Sequence, residues 1–130
     1  MSNQISETTL TLDRAYAAHQ QWKVKLQESV TAHATLDTTT IKRDDRCELG
    51  QWLYSDARSM YGHMPQFKRL LAKHTNFHLV TGVVAKIINE RQFEEATAML
   101  RDFSLFSTAS ADVCVAISKL KVSVAGDRLR

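Results

Sequence analysis

Apolar side chains recur along this chain at steps of three and four, the spacing that puts successive residues on one face of an α-helix. The first stripe runs Leu12, Ala15, Tyr16, His19, Trp22, Leu26, Val30 and His33. Thr11 or Asp13 can cap its start, and Thr38, Thr39 and Thr40 end it, because β-branched residues lose rotamer freedom in a helix. Residues 37–45 read as a polar connection and residues 1–9 as a mobile N-terminal arm. The next apolar segment, Cys47 to Tyr54, is too short to stand alone as a helix and must dock on the others. Asp44 or Asp45 is placed to cap it. Gly50 in its middle is unfavourable by about 1 kcal/mol, which predicts a neighbouring backbone in close approach.

Pro65 suits the first turn of a third element, where its missing amide costs nothing. The stripe Phe67, Leu70, Leu71, His74, Phe77, His78, Thr81, Val84, Ala85, Ile88 follows, with Lys68, Arg69, Lys73 and Lys86 mostly off it. After a break near Asn89 to Gln92, a fourth stripe runs from Phe93 through Phe106, Val113, Cys114 and Ile117 to Val124, with Gly126 as a stop signal. Three long helices and one or two short ones predict an all-α protein, an antiparallel, four-helix-bundle-like domain spanning residues 1–130.

Composition agrees with that reading. Four glycines and one proline in 130 residues are too few to punctuate an all-β fold. A chain of this length buries roughly two thirds of its extended surface, so its bulk stability needs no disulfide or metal. The start lacks the basic and apolar regions of a signal peptide, and no run approaches the roughly 18 apolar residues of a membrane span. The expectation is a cytoplasmic domain that makes no membrane contact. Net charge is +3, but the basic residues are scattered in ones and twos, so no nucleic-acid footprint is expected.

The chemistry concentrates in a few polar residues on apolar stripes. His74 and His78 are four apart and therefore one turn apart on the inward face of the third helix. His19 takes the equivalent position on the first helix, between Tyr16 and Trp22. One inward histidine is usually a core residue with a single hydrogen bond. Three in one small bundle leave several ring nitrogens to satisfy in an apolar interior, and a shared metal satisfies them together. Cys47 adds a thiolate at the start of the segment that must dock on the bundle, and mixed Cys and His ligands suit Zn2+. Four protein ligands leave no open position for a substrate water, so the site reads as structural or regulatory and the protein as no enzyme, with no catalytic residue and no organic cofactor.

The spacing His19-x-x-Trp22, the motif Cys47-x-Leu49-Gly50-x-Trp52-Leu53 and the block His74-x-x-Phe77-His78 together resemble the chemoreceptor zinc-binding (CZB) domain of bacterial chemoreceptors and diguanylate cyclases. The resemblance implies a helical bundle, a zinc ion held by His19, Cys47, His74 and His78, a homodimer, and a cytoplasmic sensory role. It also implies an output domain, a chemoreceptor signalling region or a diguanylate cyclase, in a parent chain or a partner. In some members the zinc-bound cysteine is a redox switch that reacts with oxidants such as hypochlorous acid, which makes Cys47 the redox-sensitive residue here. In some members, too, an acidic residue shortly after the cysteine replaces it at the metal. In this chain Glu48 is adjacent, while Gln51 is not acidic.

Other residues read more plainly. Cys114, among Val113, Val115 and Ile117, reads as a small core residue, His33 as a helix-end residue and His63 as a solvated loop residue. Trp22 and Trp52 are expected to pack around the site and exclude water. The competing function is a histidine phosphotransfer bundle with His74 as phosphoacceptor beside Lys73, which needs a solvent-facing His74. A di-iron bundle would need carboxylates on the inward stripes, where none is placed.

Overall fold

A computed structural model describes the backbone of residues 2–129 and the side chains of residues 5–126. All of its regular elements are helices. The first, α1 (Ser2–Ala32), spans 31 residues. Its inward face is Ile5, Thr8, Leu12, Ala15, His19, Trp22, Leu26 and Val30, an unbroken run of steps of three and four. The helix therefore starts well before Leu12. The segment expected as a mobile arm is helical from Ser2 onward, with Ile5 against the core. Thr8 is 2% exposed, its Oγ1 lying 2.9 Å from the Tyr61 hydroxyl. A threonine at an inward position hid this first part of the stripe.

Beyond His33, whose φ is 52°, the chain turns back along the bundle through three short helices: α2 (Thr38–Ile41), α3 (Glu48–Leu53) and α4 (Asp56–Tyr61). It then climbs again in α5 (Pro65–Asn89), crosses in α6 (Phe93–Met99) and descends in α7 (Leu105–Leu129). The direction of the return is written in its partners. Asn89 bonds both backbone groups of Leu36 at 2.8 Å, His78 reaches Ile41, Thr75 reaches Asp44, and His74 lies beside Cys47. As residue numbers rise through the short helices, those on α5 fall. The three short helices thus take the place of one helix in an up-down-up-down bundle, as the sequence pattern requires, but broken into pieces. Phe77 against Phe106 and Lys73 against Asp112 set α5 antiparallel to α7, and Lys121 on Asp13 sets α7 antiparallel to α1.

Four short helices among the described residues replace the one or two expected. The threonines 38–40, expected only to end a helix, form most of α2, whose first turn is closed by Asp37 accepting from the Thr40 N–H at 3.2 Å. Neither Asp44 nor Asp45 caps α3; Cys47 does. The fourth stripe is split between α6 and α7, because residues 100–104 break the helix at Phe103, whose φ is 65°. Gly126 does not stop α7, which continues to Leu129.

Nearly all the buried apolar residues of the three long helices, with Leu49 and Leu53 of α3 and Ala57 of α4, belong to one contiguous cluster. Cys114 belongs to it, as expected. No helix of the described residues is long and apolar enough to cross a membrane.

Candidate metal centre

Each of the three inward histidines arrives on a long helix whose other inward residues are apolar but for one threonine, Thr8 on α1 and Thr81 on α5, so packing fixes the backbone beneath the ring. His19 is 2% exposed, His74 0% and His78 3%. Their ring centroids lie 4.5 to 5.7 Å apart, every pair close to perpendicular. Phe77, fully buried, packs edge-on against His19 at 5.0 Å and His78 at 5.6 Å. Cys47 is delivered from the side, at the break in the returning segment. As the N-cap residue of α3 its Sγ accepts from the Gly50 N–H at 3.3 Å, while lying 3.2 Å from His74 Nε2 and 3.6 Å from His78 Nε2.

Two glycines make this delivery possible. A Cβ on Gly50 would fall 1.7 Å from the Asp44 carbonyl oxygen, so the close approach read from the sequence is real. A Cβ on Gly82 would fall 2.7 Å from the Lys42 Cβ. Gly82 therefore lets α2 lie on α5, which brings the Ile41 carbonyl to His78.

Hydrogen bonding orients the rings. His19 Nδ1 donates to the Ala15 carbonyl at 2.7 Å and His78 Nδ1 to the Ile41 carbonyl at 2.9 Å. With the proton on Nδ1, the Nε2 lone pair of each neutral ring is free. Burial keeps the rings neutral: it lowers the His19 pKa to about 4, that of His74 to about 2, and that of His78 below its ordinary value. Burial also pushes the metal-free Cys47 thiol up, against the N–H groups that favour its thiolate. His19 Nε2 and His74 Nδ1 are buried without any protein partner. An orphaned buried acceptor is costly, and a cation bound at His19 Nε2 removes that cost, while a His74 that ligates through Nε2, the nitrogen beside Cys47 Sγ, carries its proton on Nδ1.

One ligand atom from each of His19, Cys47, His74 and His78 can be chosen so that all lie within 4.8 Å of one another. Zinc bonds of about 2.0–2.1 Å to nitrogen and 2.3 Å to sulfur imply tetrahedral edges of roughly 3.3–3.6 Å. The two distances from Cys47 Sγ already fall close to that range. The donor set, three buried neutral imidazoles and one partly buried thiol, fits zinc.

The chemoreceptor zinc-binding domain model matches residues 19–85, just over half of the 130. The chain belongs to the chemoreceptor zinc-binding domain family. The match opens on His19 and contains all four clustered residues. No curated protein and no solved structure gives a significant match.

Within this CZB domain the acidic neighbour of Cys47 faces away: Glu48 is held by Arg14 at 3.0 and 3.1 Å, and the Gln51 amide donates to the Arg46 carbonyl. Trp22 packs on the core under Lys25, and Trp52 lies beside Tyr61. The burial of His74 removes the phosphoacceptor reading, and Lys73 pairs with Asp112 at 3.6 Å. His33 stacks on Phe93 with centroids 4.0 Å apart, away from the centre. Sequence reasoning missed the carbonyls of Ala15 and Ile41, which carry no side-chain signal, and Gly82, which stands within an apolar run.

Proposed function

We propose that this CZB domain is a zinc-dependent sensory module, with His19, Cys47, His74 and His78 as the ligands of one zinc ion and Cys47 as its redox-reactive atom. The observation that carries the reading is the convergence of these four side chains in a buried site where His19 Nε2 lacks any protein partner. Bound zinc would hold sulfur as a thiolate at neutral pH. The residues do the rest. His19 and His78 are aimed by the Ala15 and Ile41 carbonyls, Phe77 excludes water from one side, and the N–H groups of the first α3 turn stabilise negative charge on Sγ.

With hypochlorous acid the Cys47 thiolate gives an electron pair to chlorine and hydroxide leaves. Water then displaces chloride from sulfur. The net change is thiolate plus hypochlorous acid to sulfenic acid plus chloride, in which sulfur is oxidised and chlorine reduced. A sulfenic acid is a poorer ligand, and the short α3 helix is free to move against the bundle. In this reading the domain works as a homodimer in the cytoplasm and passes that movement to a chemotaxis or cyclic-di-GMP output domain.

Metal analysis of the purified protein tests the ligand set. Stoichiometric zinc is expected, lost in His19→Ala, Cys47→Ala, His74→Ala and His78→Ala. A zinc-free wild type, or variants that retain the metal, overturns it. Mass spectrometry after stoichiometric hypochlorous acid tests the redox step: Cys47 should oxidise before Cys114, and the reverse order defeats it.

A further inference from the structure

The segment that carries Cys47 is fastened to α5 by one carboxylate. Asp44, half-buried and three residues before Cys47, accepts at a single oxygen, Oδ2, from the Tyr54 hydroxyl at 2.6 Å and from the Thr75 hydroxyl at 2.5 Å. Tyr54 is the C-cap of α3, and Thr75 adjoins His74 on α5. The main chain of the same residue meets the bare Gly50, so the Asp44 carbonyl lies against the middle of α3. Asp44 thus touches the middle and the C-terminal end of the helix that the cysteine caps, and the helix that bears two of the histidines. Neither Glu48 nor Gln51 could do this, since both point elsewhere.

We propose that Asp44 is a positioning residue: the Tyr54–Asp44–Thr75 link is a latch that holds Cys47 Sγ against His74 and His78, and its closure governs how readily Cys47 leaves the site. The proposal rests on the four-ligand reading for its bearing on zinc, but the latch itself is a property of the metal-free chain. Two hydroxyl donors to one carboxylate are charge-assisted bonds. Losing both while the core stays intact frees residues 42–54 to open locally.

The test uses the metal-free full chain with a thiol-alkylating reagent, reading Cys47 and Cys114 separately by mass spectrometry. Asp44→Ala should raise the Cys47 rate on the order of tenfold, since hydrogen bonds to a charged group are lost, and leave the buried Cys114 unchanged. Asp44→Asn, whose amide oxygen still accepts from both hydroxyls, should restore a rate near the wild type. If Asp44→Ala does not fold, Tyr54→Phe and Thr75→Val each remove one donor and should each give a smaller rise. Zinc affinity, measured by chelator competition, should fall about tenfold in Asp44→Ala, as for other residues that support ligands. An unchanged Cys47 rate, an equal rise at Cys114, or failure of Asn to rescue overturns the latch. A wild type without zinc would defeat the ligand reading while the alkylation result still decides the latch.

Discussion

His74 is completely buried, with its Nε2 against Cys47 Sγ and its Nδ1 without a partner. Burial lowers its pKa to about 2 and that of His19 to about 4 from the ordinary 6.5. A depressed folded value means that the unfolded chain binds the proton first. The metal-free protein should therefore keep its full stability above pH 6.5 and lose it progressively below, through about 4 for His19 and on toward 2 for His74. Denaturant midpoints at pH 7, 6 and 5 check this, and a midpoint that holds flat or rises on acidification contradicts the buried neutral rings. Histidine identity and helical spacing were legible in the sequence. The tautomer of each ring was not, because it depends on carbonyls brought near by folding.

At the scale of elements, the returning segment decides whether a site forms. Its first piece, α2, lies on α5 only because residue 82 has no side chain. On helix propensity alone Gly82→Ala should gain about 1 kcal/mol. Placing a methyl 2.7 Å from the Lys42 Cβ must instead push α2 away, at an overpacking cost of about 1–3 kcal/mol. The net expectation is zero to about 2 kcal/mol of destabilisation together with weaker zinc binding, because the Ile41 carbonyl retreats from His78. Thermal unfolding and chelator competition read the two effects, and a stabilised variant with undiminished affinity would show that α2 has room to spare. The stripes of α1, α5 and α7 were readable because each helix buries one face. Of the short helices only the docked segment from Cys47 to Tyr54 was readable, since four to seven residues are too few for a period to show.

For the whole molecule, the apolar cluster extends through all three long helices, whereas the centre involves only four residues. Metal removal should therefore leave the fold standing. With a chelator, or in Cys47→Ala, far-UV circular dichroism should keep nearly all of its helical signal while the unfolding temperature falls by the linkage that a lost ligand imposes. Collapse of the helical signal on chelation would make the metal a structural staple instead. The surface ion pairs, Arg14–Glu48, Lys121–Asp13 and Lys73–Asp112, are solvated and add little to that stability.

Periodicity in the sequence determined that the chain is helical, which faces turn inward, and that His19, His74 and His78 share the interior with Cys47 close by in a docked segment. Those properties depend on residue type and local spacing, which a linear chain displays. Tertiary structure alone decided that the returning strand of the bundle is broken into three helices and that Cys47 caps one of them. It also decided that backbone carbonyls aim two of the rings and that Asp44 fastens the cysteine segment to α5. Each of these is a contact between residues far apart in sequence, made by packing geometry and by backbone atoms that every residue shares, so no pattern of side chains announces it.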